Sequence, residues 1–193
     1  MIKYSELHCV SNFSFLKGAS YPEELVQQAK SLNYSAIALT DECSIAGVVR
    51  AHVAAKKYNL PLIIGSIFSL ADGPVIVLLA TNRKSYGSLV RLITRSRLAV
   101  KKKGYYLTRS NIHEIDISEC LGILISDSSP DIKRNIETRY KQLKLDALWL
   151  KKLLPDRIWI SVEQSSNSFD YQHFLYLKDI SIQTSIPLVA TGN

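Results

Sequence analysis

Ala36-Ile37-Ala38-Leu39-Thr40-Asp41 is a short apolar run that ends on a hydroxyl and a carboxylate, and its reading decides the fold. Apolar runs of this length without polar alternation suit strands buried on both faces, as in parallel sheets. Polar groups placed where such a strand stops stand on the rim of the sheet, where the functional groups of α/β folds gather. A first strand is expected near residues 2–9, and it brings His8 to its own end. Between the two, Ser20 is placed as an N-cap, and Tyr21-Pro22-Glu23-Glu24 supplies the proline and acids of a first helical turn. Leu25, Val26, Ala29 and Leu32 then share a face, and Asn33 is a stop residue.

Working outward, Val48, Val49, His52, Val53 and Ala55 predict a second helix over residues 45–58, followed by a third strand over 60–64. The turn Ala71-Asp72-Gly73-Pro74 leads to an adjacent or hairpin-like strand over 75–80, and 84–99 reads as helix. A short helix from Ser110 precedes a strand over 121–125. Residues 130–154 read as helix in two pieces, followed by strand 157–163, helix 171–184 and strand 187–190. Strands alternating with helices imply βα units and a mostly parallel sheet.

A chain of 193 residues with 47% apolar content buries one core, so one domain or a large piece of one is expected. The longest apolar runs, 75–80 and 60–64, fall far short of the roughly 20 residues needed to cross a bilayer. The first residues lack a signal-peptide layout, so a cytoplasmic location is expected. Cys9, Cys43 and Cys120 form no CxxC pair, and reduced thiols are expected. The net charge of +7, from 24 Lys and Arg against 17 Asp and Glu, favours an anionic partner, nucleic acid among the candidates. The chain stops at Thr191-Gly192-Asn193, where a βα pattern would continue into a loop and helix. A fragment of a longer protein is the expectation, a last strand without a covering helix the alternative.

Two constellations carry possible chemistry. His8, Asp41 and Glu42 offer an imidazole and two carboxylates, a set able to hold a divalent ion that polarises a phosphoryl oxygen or lowers the pKa of a water. The alternative is a satisfied strand histidine, a loop-capping aspartate and a solvated glutamate. The second constellation is Arg91, Arg95, Arg97, Lys101, Lys102, Lys103 and Arg109, interleaved with Tyr105 and Tyr106 and free of acids. Arg95 and Lys101 to Lys103 are its candidate nucleic-acid contacts, with the tyrosines stacking on unpaired bases. The alternative is a solvated helix face running into a loop, with the tyrosines packed back on the domain. Cys120 reads as a buried thiol, His113 as a surface histidine, and Tyr140, Trp149, Trp159 and Tyr176 as packing residues.

The string running from His8-Cys9-Val10-Ser11 to Leu16-Lys17-Gly18-Ala19 resembles the opening motif of the PHP (polymerase and histidinol phosphatase) domain. Pro22-Glu23-Glu24-Leu25, Ala38-Leu39-Thr40-Asp41, Ile63-Ile64-Gly65-Ser66 and Leu79-Ala80-Thr81-Asn82 follow in the order of bacterial C-family DNA polymerases. Thr40-Asp41-Glu42-Cys43-Ser44 and Ser11-Asn12-Phe13-Ser14-Phe15-Leu16 are most similar to the error-prone branch. The likeness is specific through Arg97, weak over 101–154, and recovers at 158–163 and 187–193. It implies an α/β fold, a PHP-type distorted βα barrel incomplete at the C-terminus. Residues 1–193 would be a PHP domain, or most of one, at the N-terminus of a longer polymerase acting in DNA repair and translesion synthesis. Its implied partners are the remaining polymerase domains in cis and DNA, without a membrane.

The resemblance also places a metal site. His8 stands at the first metal-binding histidine, Asp41 at the motif aspartate, and Glu42 where many members have histidine. Val10 replaces the second histidine, Ile67 a usual glutamate, and Asn193 an aspartate. A multi-ion centre needs several donors for each ion, so the implied site is degenerate, with at most one weakly bound zinc or manganese and no catalytic residue in this segment. The family's nucleotidyl-transfer carboxylates belong to a palm region further downstream. Two other readings stay open: a stand-alone PHP-type metal-dependent phosphoesterase, in which Glu42 and Glu163 complete a smaller site, and a nonenzymatic DNA-binding module or gene remnant.

Overall fold

The computed structural model describes residues 3–101, 104–126, 136–163 and 170–192. Seven strands alternate with helices: β1 (Ser5–Cys9), α1 (Pro22–Ser31), β2 (Ala36–Leu39), α2 (Val48–Tyr58), β3 (Leu62–Ser69), β4 (Val75–Leu79) and α3 (Arg83–Leu98). They continue as α4 (Arg109–His113), β5 (Leu121–Ile125), α5 (Ile136–Leu153), β6 (Ile158–Val162), α6 (Asp170–Thr184) and β7 (Leu188–Ala190). The strands form one sheet in chain order from β1 to β7. β4 runs antiparallel to both neighbours, and every other pair is parallel. The 71–74 turn is thus a hairpin turn, and pairing with β4 carries β3 out to Ser69, five residues past the expected end at 64.

Local chemistry sets the helix ends. Pro22 at the first position of α1 makes Tyr21, not Ser20, the N-cap, because proline belongs just inside a helix start. Glu24 reaches back and accepts the Tyr21 N–H at 2.8 Å. Asn33 ends the α1 region at φ 57°, and Asn59 caps α2 at φ 49°, both in the left-handed region that asparagine tolerates. Asn82 and Ser85 exchange hydrogen bonds at the start of α3. Over its described residues α5 is one continuous helix, not two pieces; residues 130–135 of that expectation lie outside the described residues.

Helices pack outside a curled sheet. Ala29 and Val26 of α1 meet Ala51, Ala54 and Ala55 of α2 over Ile37 and Leu39. The buried face of α2 is therefore its alanine face, whereas Val49 and Val53 are 73% and 64% exposed. The larger core joins Phe68, Ile76 and Leu78 to Leu89, Leu150, Leu154 and Leu177. On the inner side, Ala38, Val77, Leu79 and Ile123 contact Leu7 of β1 and Val189 of β7, so side chains fill the interior of an incomplete barrel. The Glu6 carboxylate accepts Tyr4 O–H, His8 N–H and Gly192 N–H, linking β1 to the segment after β7.

Candidate functional site

The rim residues sit where β1, β2 and β6 end. An extra residue in β1, between Glu6 and Cys9, interrupts its register with β2. His8 is buried, and its Nδ1 lies 3.2 Å from Glu163 Oε1, which also accepts Thr191 O–H at 3.3 Å. Its Nε2 is buried with no hydrogen-bond partner among the described residues. This is the pose of an imidazole oriented by a carboxylate with its other nitrogen open.

Asp41 is 1% exposed and accepts three bonds from the loop after β1. Ser11 N–H and Ser14 O–H reach Oδ1 at 2.8 and 2.7 Å, and Ser11 O–H reaches Oδ2 at 2.8 Å. Ser14 Oγ in turn accepts the Glu42 N–H at 2.8 Å, and Ser66 O–H binds the Asp41 carbonyl at 2.7 Å. The loop itself is closed by Asn12 N–H to Ser20 O and Gly18 N–H to Ser14 O. A Cβ at Gly18 would lie 2.1 Å from Ser11 O, so no larger residue fits that closure. Asp41 thus works as a staple for this loop.

Glu42 turns elsewhere. Its Oε1 pairs with Lys17 Nζ at 2.9 Å and accepts Tyr105 O–H at 3.2 Å. Burial pushes the Tyr105 hydroxyl up to about 12, against the Ser69 N–H that favours its ionised form. Arg97 donates to the carbonyls of Cys43 and Glu42 at 2.9 and 3.2 Å, tying the end of α3 to this turn. Burial also pushes the Cys9 and Cys43 thiols up to about 12.

The donor set does not fit a multi-ion centre. Both Asp41 oxygens are occupied, Glu42 faces an ammonium, and Val10 and Ile67 carry no donor. Among the described residues no three His, Cys, Asp or Glu side chains gather into a group able to hold a metal ion. His8 and Glu163 are brought together; His8, Asp41 and Glu42 are not brought together as one cluster.

In the basic stretch, Arg95 is paired with Glu114, and Arg109 is paired with Asp146 and lies over the Trp149 ring at 4.7 Å. Arg91 and Lys101 are exposed, and Lys102 and Lys103 lie outside the described residues. Cys120 is buried, the His113 ring accepts Trp149 N–H, and Tyr140 stacks on Tyr176 with centroids 4.1 Å apart. Sequence reading missed Ser11, Ser14 and Lys17 as partners of the acids. Two hydroxyls three apart just after a strand that ends on the same rim were the available signal.

Residues 6–165 match the PHP domain family. The error-prone DNA polymerase of Dechloromonas aromatica (strain RCB) is 43% identical over 195 residues, which cover 99% of this chain and 18% of that protein. That of Methylococcus capsulatus is 43% identical over 190 residues, 98% of this chain and 17% of that protein. The chain therefore spans under a fifth of the length of these relatives. Among solved structures, an amidohydrolase from Chromobacterium violaceum with bound sulfate and no metal superposes with a TM-score of 0.65 at 16% identity, covering 98% of this chain and 86% of that one. A protein described as a metal-dependent phosphoesterase from Bifidobacterium adolescentis gives 0.62 at 14% identity, covering 99% and 86%. At such identities the structural likeness speaks for the barrel alone. No helix among the described residues is long and apolar enough to cross a membrane. The match across residues 6–165, on a curled seven-stranded sheet with His8 and Asp41 at its rim, means that the chain belongs to the PHP domain family.

Proposed function

We propose that the chain is the N-terminal PHP module of a cytoplasmic error-prone DNA polymerase that acts in DNA repair and translesion synthesis. It serves as a scaffold for the polymerase domains that follow. The observation that carries this reading is 43% identity across 99% of the chain to an error-prone polymerase. The three hydrogen bonds that Asp41 already accepts favour the scaffold role over phosphoester hydrolysis, because they leave its carboxylate less to offer an ion. At most one zinc or manganese ion is held, weakly, through His8 Nε2. DNA is the proposed partner of the whole enzyme, and the exposed Arg91 and Lys101 are the supporting surface.

A stand-alone phosphoesterase is the second reading, favoured by the His8 and Glu163 pair, and it requires phosphomonoester turnover that Asp41→Asn abolishes. The polymerase reading is tested by following the gene past the codon for Asn193. The expected result is one continuous frame encoding a palm region with its nucleotidyl-transfer carboxylates. A stop codon in that frame before any palm region would contradict it.

A further inference from the structure

The loop that Asp41 staples carries Phe15 and Leu16 at its tip, 84% and 89% exposed, with Leu16 held at φ 63°. Large apolar side chains are ordinarily withdrawn from water, and these stand on backbone fixed by Ser11, Ser14 and Gly18. Lys17 follows directly, and through Glu42 it joins this tip to the end of α3. The Glu42 carboxylate is shared by Lys17 and Tyr105, and Arg97 binds the Glu42 carbonyl. Tyr106, next to Tyr105, is 51% exposed and is fixed by its own N–H to Ser96 O at 2.9 Å.

Lys17 and Arg97 give two positive charges against the one negative charge of Glu42, an excess of one, and the exposed Lys101 follows Arg97 by four residues in the chain. Arg97 donates to neutral carbonyls, which leave its charge uncompensated, unlike that of Arg95 beside Glu114. Exposed aromatic rings on a fixed backbone, set among cations, suit unpaired bases and their phosphates. A purely apolar protein partner would leave this charge without an opposite.

We infer that Phe15, Lys17, Arg97, Lys101 and Tyr106 form one contact surface for single-stranded nucleic acid, with bases stacking on Phe15 and Tyr106. This deepens the DNA partner of the polymerase reading, and it fails separately, because absence of binding would leave the downstream reading frame as it is. Phe15 and Lys101 are exposed, so their variants keep the unfolding midpoint of the parent chain.

The test is fluorescence anisotropy of a labelled oligothymidylate with the 193-residue chain across a salt series. Binding is expected to weaken as salt rises, and Lys101→Ala to flatten the slope of log affinity against log salt by about 0.7. Phe15→Ala is expected to lower affinity about tenfold, as loss of one stacked base does, while Phe15→Trp retains it. No binding at low salt, or an affinity untouched by Phe15→Ala, overturns the inference. Self-association of the parent chain in sedimentation, lost in Phe15→Ala, also overturns it by assigning the aromatic tip to a protein contact.

Discussion

Asp41 holds three hydrogen bonds with a carboxylate that is 1% exposed, and no cation stands beside it in those contacts. A buried carboxylate is tolerable only when its lone pairs are met, and Ser11 and Ser14 meet them. Removing the acceptor leaves one N–H and two hydroxyls to find new partners. Asp41→Ala should therefore destabilise the chain by about 2–4 kcal/mol in urea unfolding, each unmet buried donor adding to the cost. A loss below about 0.5 kcal/mol, typical of a surface position, would contradict the staple. The location of Asp41 at a strand end was legible from the apolar run before it. Its role was not, because Ser11 lies 30 residues away in the chain, and the period of a strand says nothing about which loop folds over its end. Glu42 is similar: Lys17 and Tyr105 converge on it from opposite sides of the sequence.

At the scale of elements, strand and helix positions were largely legible because burial on both faces leaves near-continuous apolar runs. β5 is the expected 121–125 run, and α6 begins one residue before its expected start. Of the residues whose spacing predicts α2, Val48 and Ala55 are buried, whereas Val49 and Val53 face solvent. Valines outrank alanines in hydrophobicity, but α1 and α2 approach each other closely over Ala29, Ala51 and Ala55, where small side chains pack best. Close approach also governs β3 at Gly65, where a Cβ would lie 2.6 Å from Leu79 Cδ2 and 2.8 Å from the Leu78 carbonyl oxygen. Backbone in a paired strand cannot yield as a side chain can. Gly65→Ala should cost about 1–3 kcal/mol by overpacking. Gly87 in α3 has open space where a methyl group would stand, with nothing within 4 Å, and Gly87→Ala should stabilise by about 0.5–1 kcal/mol. Equal shifts in the two urea midpoints would contradict this account of the packing.

For the whole molecule, the two ends of the sheet are joined by side chains. Glu6 holds Gly192, and Glu163 joins His8 to Thr191. A rim that in a metal enzyme would direct donors toward ions here directs them toward one another. On the proposed reading, that difference would set a PHP scaffold apart from a PHP phosphoesterase on the same barrel, because fold alone leaves the chemistry open. The mean composition and +7 charge favoured an anionic partner without locating it, and the shared carboxylate of Glu42 is what brings the aromatic tip and the basic end of α3 together. The proposed scaffold role requires a rim held by its own hydrogen bonds, without tightly bound metal ions. Calorimetric titration of the chain with zinc and with manganese tests it most directly: at most one weak binding event, removed by His8→Gln, is the predicted result, and tight binding of two or more ions would contradict it.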